Sequence, residues 1–301
     1  MRKIVYLFLV PSLTFLIILL FVFSKPIENK ANLNQLSKVS GSVNYLIHPI
    51  TFFDRERFYQ ATSKTKFDSF SEHKITGGVI PHDLSASFMI ADFFGRLAKQ
   101  NPKTLILIGP NHFEKGGFKA LSGFYGWETP FGTLEADDSV VGKLEVKSLI
   151  KVDEKVLAQE HSVVGIVPFV KFYLPDTKIV PIILSSTFNQ DDARILANEL
   201  NQYISKDAVV LASVDFSHYL SNIQAQEKDK VTFETIKNFD LRQLFTFNND
   251  YLDSPGSIGL LLSLMEKTES RNVQVVDHTN SGELQRNDFI ETTSYYSLAF
   301  Y

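Results

Sequence analysis

The segment TLILIGPNH, residues 104–112, indicates the fold class of this chain. Its four consecutive apolar residues, from Leu105 to Ile108, are followed by a Gly-Pro step. A short apolar run that ends at a turn is typical of a strand buried on both faces of a sheet. Proline lacks the N–H that a sheet ladder needs, so the strand is expected to end before Pro110. His112 is then expected just past the carboxyl end of a buried strand.

Further apolar runs occur on either side of this segment, and amphipathic stretches separate them. The alternation predicts an α/β fold in which helices cover a parallel sheet. Residues 118–132, rich in glycine and aromatic side chains, are expected to form a hairpin or loop insert. The expected strands are Ile75–Ile80, Thr104–Ile108, Lys178–Leu184, Ala208–Val214, Asn272–Val276 and Ser294–Phe300. The expected helices are Ser85–Lys99, Asp138–Leu149, Ser162–Phe172, Asp191–Ile204, Ala225–Asn238 and Ser254–Glu266.

The N-terminal residues predict a membrane anchor. Two basic residues precede an uncharged, apolar run from Ile4 to Phe23, which is long enough to cross a bilayer. A cleaved signal peptide has a shorter apolar region, so residues 1–25 are interpreted as a signal anchor and transmembrane helix. Residues 26–44 are polar and predict a tether, and residues 45–301 predict one α/β domain. The basic flank places the N-terminus in the cytoplasm and the domain on the extracytoplasmic side of the membrane.

Composition excludes several classes of site. The chain has no cysteine, which rules out disulfides, thiolate nucleophiles and cysteine-ligated metals. Its formal net charge is −4, and no basic cluster forms a phosphate-binding stripe, so we expect no nucleic-acid partner. Any metal must be held by histidine and carboxylate side chains.

Histidines follow the ends of predicted strands. His82, His112 and His218 lie there, and His161 begins a predicted helix directly after Glu160. Ligands bind outside the carboxyl ends of the strands in open α/β sheets, so these side chains are expected to converge on one crevice. Two histidines with one carboxylate form a metal site that leaves coordination positions open. Alternatively, each imidazole only hydrogen-bonds a nearby loop. The carboxylates within local reach are Asp83, Glu160 and Asp215.

Hydrolase motifs are absent from the sequence. There is no G-x-S-x-G elbow, H-E-x-x-H helix or Walker-type phosphate loop. A Ser-His-Asp hydrolase could still be assembled from Ser162 or Ser217, but nothing in the sequence marks either serine as activated.

Several short motifs recur in the order typical of one family. They are Pro81-His82, Gly109-Pro110-Asn111-His112, Thr129-Pro130-Phe131-Gly132, Glu160-His161-Ser162, Pro168-Phe169, Ser213-Val214-Asp215-Phe216-Ser217-His218-Tyr219 and Asn280-Ser281-Gly282. Together they resemble the Memo family, also known as AmmeMemoRadiSam system protein B, over about three quarters of the chain. Proteins of this family are similar in fold to class III extradiol dioxygenases, in which non-heme iron(II) sits on two histidines and a carboxylate.

The resemblance implies an αβα sandwich with a mostly parallel central sheet, here with an N-terminal transmembrane helix in addition. It also implies a pocket lined by His82, His112, Asp215 and His218, with His161 close by. One departure concerns the ligand set, because the family adds a cysteine in a Cys-Gly step, and Pro255-Gly256 stands at that step here.

Proline has no side-chain ligand, so another residue must complete the set. Asp253 could supply a carboxylate. Alternatively, the helix that begins near Pro255 is capped by Ser254 or by Asp253. We take His82, His112 and Asp253 as candidate metal ligands for iron(II) or copper. The candidate catalytic residues are His161, His218 and Asp215, with one of the two histidines as acid or base.

Two functions follow from these residues. The first is a metal-binding protein with oxidoreductase-like or dioxygenase-like chemistry. The second is a non-catalytic, extracytoplasmic binding module whose degenerate pocket recognises a peptide or small ligand.

Overall fold

The computed structural model describes residues 47–64, 67–68, 70, 73–204 and 207–301. These residues fall in a single compact unit. The predicted anchor, 1–25, and the predicted tether, 26–44, lie outside the described residues.

Eleven strands and eleven α-helices are present in the described residues. The strands are β1 (Ile47–Pro49), β2 (Gly77–Ile80), β3 (Thr104–Pro110), β4 (Ala120–Ser122), β5 (Gly126–Thr129), β6 (Gly132–Leu134), β7 (Lys151–Val152), β8 (Lys178–Leu184), β9 (Ala208–Ser213), β10 (Val273–Asn280) and β11 (Ser294–Phe300). The helices are α1 (Arg55–Thr62), α2 (Ser87–Leu97), α3 (Asp138–Val146), α4 (Glu154–Leu157), α5 (His161–Val164), α6 (Val167–Tyr173), α7 (Gln190–Leu200), α8 (Asn222–Lys237), α9 (Leu241–Leu244), α10 (Pro255–Lys267) and α11 (Ser281–Gln285). A 3₁₀ turn at Leu84–Ala86 precedes α2.

The central sheet has the strand order β10-β11-β2-β9-β3-β8-β4-β7. Its middle strands β2, β9, β3 and β8 are parallel. On one side β11 and β10 add in antiparallel fashion, and on the other β4 runs antiparallel to β8. The prediction of a mostly parallel sheet was therefore wrong at the edges, because the edge pairings are not set by the helix-strand alternation that reveals the middle strands. The fold is a mixed α/β fold.

The middle strands are buried on both faces. Along β3, Ile106 and Ile108 belong to one hydrophobic cluster, while Leu105 and Leu107 belong to another. This alternation follows from the period of two in a strand, which sends successive side chains to opposite faces. Helices α7 and α10 contribute to the first cluster and helices α2 and α6 to the second. Helices therefore cover both faces of the sheet.

A small second sheet joins β1, β5 and β6. Strand β1 pairs in parallel with β5, and β5 pairs with β6 as a hairpin. The predicted hairpin or insert at residues 118–132 therefore includes β4, β5 and the start of β6. Gly132 has φ +106°, a conformation that favours glycine and allows the tight turn between β5 and β6.

The predictions of a transmembrane helix and a membrane location are corrected. No helix in the described part of the chain is long and apolar enough to cross a membrane. The longest, α8, has 16 residues and a polar composition, and the apolar α10 has only 13. A helix of 13 residues spans about 20 Å, less than the ~30 Å hydrocarbon core. The apolar run from which the anchor was predicted lies outside the described residues.

Most of the predicted elements in the sheet are confirmed. Strands β8 and β11 have the predicted bounds, and β3 continues to Pro110, its last residue. The predicted helix at 162–172 is instead two short helices, α5 and α6. Helix α1 was not predicted.

The parallel middle strands place the site. Ile80 of β2 lies opposite Ser213 of β9, and Ile108 of β3 lies opposite Ala212. Because the three strands run in the same direction, the loops that follow them leave the same edge of the sheet. Gly109 is required here, since a Cβ at that position would collide with the side chain of Ser162 on α5.

Candidate metal centre

His82 is held rigidly at the end of β2. Its side chain is 2% exposed, and its backbone N–H donates to Asp215 Oδ1 at 3.0 Å. Its Nδ1 lies 3.2 Å from the carbonyl oxygen of Ser213. A carbonyl only accepts, so Nδ1 carries the proton in this contact and Nε2 is the remaining ring nitrogen. Nε2 lies 3.2 Å from Asp253 Oδ2 and 3.5 Å from Asp215 Oδ2.

His112 is held by Glu160 through two contacts. The backbone N–H of His112 donates to Glu160 Oε2 at 2.9 Å, and its Nδ1 lies 2.7 Å from Glu160 Oε1. Glu160 is fully buried and also accepts from the backbone N–H of Ser162. As in His82, Nδ1 contacts a protein oxygen, and Nε2 is the ring nitrogen that remains for a ligand. Nε2 of His112 lies 3.6 Å from Asp253 Oδ2. A carboxylate behind a histidine is the arrangement that orients metal-ligating imidazoles.

Asp253 lies between the two imidazoles, immediately before α10. The helix cap is Ser254, whose side chain accepts from the N–H of Ser257, so the alternative in which Asp253 caps the helix is wrong. Asp253 Oδ2 approaches Nε2 of both His82 and His112. Asp253 Oδ1 is buried and has no hydrogen-bond partner within the described residues. A buried carboxylate oxygen without a partner is costly unless another group binds it.

His161 stacks on His112, with ring centroids 4.0 Å apart and 24° between the planes. Its Nδ1 lies 3.5 Å from Glu160 Oε1, and its side chain is 37% exposed. The His161 ring lies 5.2 Å from that of His82. His161 therefore forms the solvent-facing side of the cluster.

Two overlapping groups could hold a metal ion. One comprises His82, His112 and His161, and the other comprises His82, Asp215 and Asp253. Within each group the donor atoms all lie within 4.8 Å of one another. Neutral imidazole nitrogens and carboxylate oxygens are suitable donors for first-row divalent metals. The donor set, together with the partnerless Asp253 Oδ1, fits a bound cation.

Comparison with known proteins identifies the family. A family model described as Memo-like protein matches residues 55–298. The chain belongs to the Memo family. It is 33% identical over 210 residues to a MEMO1 family protein from Caldivirga maquilingensis, covering 66% of this chain and 73% of that protein. It is 30% identical over 235 residues to a MEMO1 family protein from Pyrobaculum aerophilum, covering 75% of this chain and 83% of the relative.

A solved structure of an uncharacterized protein from Escherichia coli K12 is similar in fold to this Memo-family chain. The TM-score is 0.50 at 10% sequence identity, over 74% of this chain and 99% of that one. At this identity the likeness concerns the fold alone.

Burial and neighbouring charges shift the pKa values of the ionisable groups in the Memo-family centre. Burial acts to lower the pKa of His82, but the carboxylates of Asp215 and Asp253 outweigh it and raise the pKa to about 10. Burial is likewise outweighed at His112, whose contacts with Asp253 and Glu160 raise its pKa to about 9. In the metal-free protein both imidazoles are therefore protonated at neutral pH.

The other groups shift in complementary directions. Burial and the charges of His112 and His82 lower the pKa of His161 to about 4, which keeps this imidazole neutral. Burial opposes ionisation of Asp253, but the charge of His82 and the contacts with both histidines hold its pKa far below the ordinary range. Burial, reinforced by the nearby carboxylates, raises the pKa of Asp215. The surroundings therefore favour the ionised form of Asp253 and disfavour that of Asp215.

Glu160 is a site residue that the sequence did not single out. The sequence suggested it only as one carboxylate within reach. In the sequence Glu160 stands next to His161. Its closest side-chain contact, however, is with His112, which is 48 positions away in the chain. The burial that identifies Glu160 as a site residue is known only from the structure, because a fully buried carboxylate requires partners.

Two predicted catalytic residues differ in where they lie. Asp215 is buried against His82 and belongs to one of the two donor groups. His218 belongs to neither group. Its backbone N–H donates to the carbonyl of Asn249, and its Nδ1 is buried without a hydrogen-bond partner among the described residues.

The serines considered for a hydrolase are not paired with an imidazole. Ser217 Oγ donates to Asp229 Oδ1 at 2.5 Å, and Ser162 Oγ donates to the carbonyl of Pro110 at 3.2 Å. Both serines are fully buried. An activated serine needs an adjacent base and access to substrate, so this arrangement argues against a serine hydrolase.

Proposed function

We propose that this Memo-family protein binds iron(II) or copper through His82, His112 and Asp253 and carries out oxidoreductase-like chemistry. The observation that supports the proposal is the position of Asp253 Oδ2, 3.2 Å from His82 Nε2 and 3.6 Å from His112 Nε2. Both Nδ1 atoms are engaged elsewhere, so the two remaining ring nitrogens meet at one carboxylate.

Asp253 takes the place of the missing cysteine in this proposal. The residue at the expected Cys-Gly step is Pro255, which begins α10. Asp253 precedes it by two positions and reaches the histidine pair from the loop. Two histidines and a carboxylate suit a non-heme metal with open coordination positions, and a metal held this way would activate dioxygen or a small molecule.

The remaining residues would manage protons and position the ligands. His161 is neutral, half-exposed and next to His112, so it can accept a proton from a bound molecule. Asp215 accepts a hydrogen bond from the backbone N–H of His82 and would balance the positive charge of the His82 ring. We assign His218 a supporting role as a proton donor or acceptor, on the basis of its partnerless ring nitrogen.

The test is metal content of the full chain. We expect about one metal ion per chain in the wild type and none in a His82→Ala/His112→Ala double variant. His73→Ala is the matched control, because His73 stacks on Tyr301 and belongs to neither donor group. Unchanged metal content in the double variant would contradict the proposal.

A second candidate function is a non-catalytic binding module that recognises a peptide or small ligand. It is favoured by a cleft of about 500 Å³ that adjoins His112 and Asp253, and by the loss of the cysteine. Oxygen consumption by the metal-loaded protein separates the two. Turnover with any substrate supports the oxidoreductase, whereas ligand binding without turnover supports the binding module.

A further inference from the structure

The candidate metal centre offers nitrogen and oxygen donors but no sulfur. The chain has no cysteine. The methionines among the described residues are buried in hydrophobic clusters, where Met265 Sδ accepts from the hydroxyl of Thr76 and Met89 packs with Tyr295. Neither methionine lines the cleft beside the centre. Sulfur ligands select copper(I), whereas imidazole and carboxylate donors suit divalent metal ions.

Three buried carboxylates contact the two imidazoles of the centre. The exposed fraction of the side chain is 8% for Asp253, 5% for Asp215 and 0% for Glu160. Glu160 accepts from the backbone N–H groups of His112 and Ser162 and from His112 Nδ1, as an ionised carboxylate does. Asp253 Oδ2 accepts from the backbone N–H of Asp215 at 3.4 Å. Negative charge is therefore concentrated where water largely does not reach it.

No lysine or arginine of the described residues forms an ion pair with these carboxylates. Within that part of the chain, their ion-pair partners are all histidines. Because metal-ligating histidines are neutral, the bound ion itself must balance the carboxylates. Asp253 and Glu160 alone carry two negative charges. A divalent ion balances both, whereas a monovalent ion leaves one buried charge uncompensated, which is costly.

The spacing of the donors also suits an ion held by several ligands at an angle. The rings of His82 and His112 have centroids 5.0 Å apart and planes at 87°. Since a metal–nitrogen bond is about 2 Å long, two imidazoles in line through one ion would have centroids about 6 Å apart. Asp253 Oδ2 lies 3.2 Å and 3.6 Å from the two Nε2 atoms. Donors at a tetrahedral angle around one metal lie about 3.3 Å apart.

We infer that this centre selects divalent ions over copper(I), and that Asp253 is the residue that determines the selectivity. The inference rests on the proposed function, because it takes the metal to be held by His82, His112 and Asp253. Of the two proposed metals, reduced iron is divalent and reduced copper is monovalent. Under reducing conditions the selectivity therefore favours iron(II).

Copper binding by the wild-type full chain tests the inference without any substitution. Affinity is measured by competition with a chelator specific for each oxidation state, for copper(II) first and then for copper(I) in oxygen-free buffer with a reductant. We expect copper(II) to bind at least about tenfold more tightly than copper(I). Copper(I) bound as tightly as copper(II), or more tightly, overturns the inference.

The same measurement separates this inference from the proposed function. A chain that binds copper(I) tightly still holds a metal, so that result overturns only the selectivity. A chain that binds neither ion overturns both. The wild-type comparison stands whether or not a variant folds.

Asp253→Cys exchanges the oxygen ligand for a thiolate and tests which residue determines the selectivity. Affinity for copper(I) is expected to rise by at least about tenfold, and affinity for manganese(II), which prefers oxygen donors, to fall by a similar factor. Asp250→Cys is the matched control, because Asp250 lies in the same loop but belongs to neither donor group and does not line the cleft. Equal changes in the two variants overturn the inference.

Asp253→Asn separates the effect of charge from that of sulfur. It keeps an oxygen at the same position but removes one negative charge. Affinity for copper(II) should fall at least about tenfold more than affinity for copper(I), because attraction to a carboxylate scales with the charge of the ion. Asp250→Asn should leave the ratio of the two affinities unchanged. Equal losses for both ions in Asp253→Asn overturn the inference.

Discussion

Two His–carboxylate clusters in this chain differ in whether their polar atoms are satisfied. In the first, His278 Nε2 lies 3.0 Å from Asp229 Oδ2, and Ser217 Oγ donates to Asp229 Oδ1. Both carboxylate oxygens of Asp229 therefore have partners. In the candidate metal centre, Asp253 Oδ1 has none among the described residues, and two imidazole nitrogens approach Asp253 Oδ2.

This is the difference expected between a structural cluster and the proposed metal-binding cluster. His278 also stacks on Tyr296, with ring centroids 4.0 Å apart, so its ring is fixed between packing and one hydrogen bond. A saturated cluster stabilises the fold but offers no donors to a ligand. An unsaturated cluster of buried donors has a cost in stability that binding of a cation relieves. Paired substitutions in the two clusters test this distinction.

The largest effect is expected from removing the charge of Asp253. Asp253→Asn keeps the shape of the side chain but removes the anionic ligand. The loss of metal affinity should therefore exceed the ~10–100-fold loss that is typical when a residue hydrogen-bonded to a metal ligand is mutated. Metal affinity is measured by competition with a chromophoric chelator. Asp229→Asn is the control, and it should leave metal affinity unchanged while lowering the free energy of unfolding by about 2 kcal/mol. Equal losses of affinity in both variants would contradict the distinction.

Metal affinity is also expected to rise with pH. Metal binding needs neutral imidazoles, and the raised pKa values of His82 and His112, about 10 and about 9, mean that protons occupy both at neutral pH. Below these values metal displaces about two protons, so affinity should rise by up to about a hundredfold per pH unit and level off near the higher pKa.

The metal-free protein should show the opposite trend in stability. A histidine with a raised folded pKa contributes stability that is complete below its ordinary pKa and is lost as pH rises through the folded value. The melting temperature of the metal-free chain should therefore fall as pH rises toward 9 and 10. His278→Ala should alter neither trend, and a pH-independent metal affinity would show that the imidazoles are not the ligands.

The sequence predicted the centre of the fold better than its edges. Strand β8 is a continuous apolar run with a clear start at Lys178, and its bounds were predicted correctly. Strands β4 and β7 have three and two residues, too few for a period to be recognised. The short helix α1 has a low apolar content, with only Phe58 and Ala61 buried, so no amphipathic pattern marked it.

The site was predictable where its residues follow strands. His82 and His112 end buried strands, so their convergence followed from the topology. Asp253 and Glu160 come from loops that fold back across the sheet, and sequence spacing does not encode that return. The sequence offered Asp253 both as a cap and as a ligand, and only the hydrogen bond of Ser254 decides against the cap.

Glu160 offers the smallest and most specific test of the comparison. Glu160→Gln should keep the contacts with the backbone of His112 but weaken the hold on Nδ1, which misorients the imidazole and makes it less basic. Metal affinity is expected to fall by about 10–100-fold. Glu154→Gln is the matched control, because Glu154 contacts His48 Nε2 at 2.8 Å and lies in neither donor group. An unchanged affinity in Glu160→Gln would mean that His112 is oriented by packing on His161 and not by the buried carboxylate.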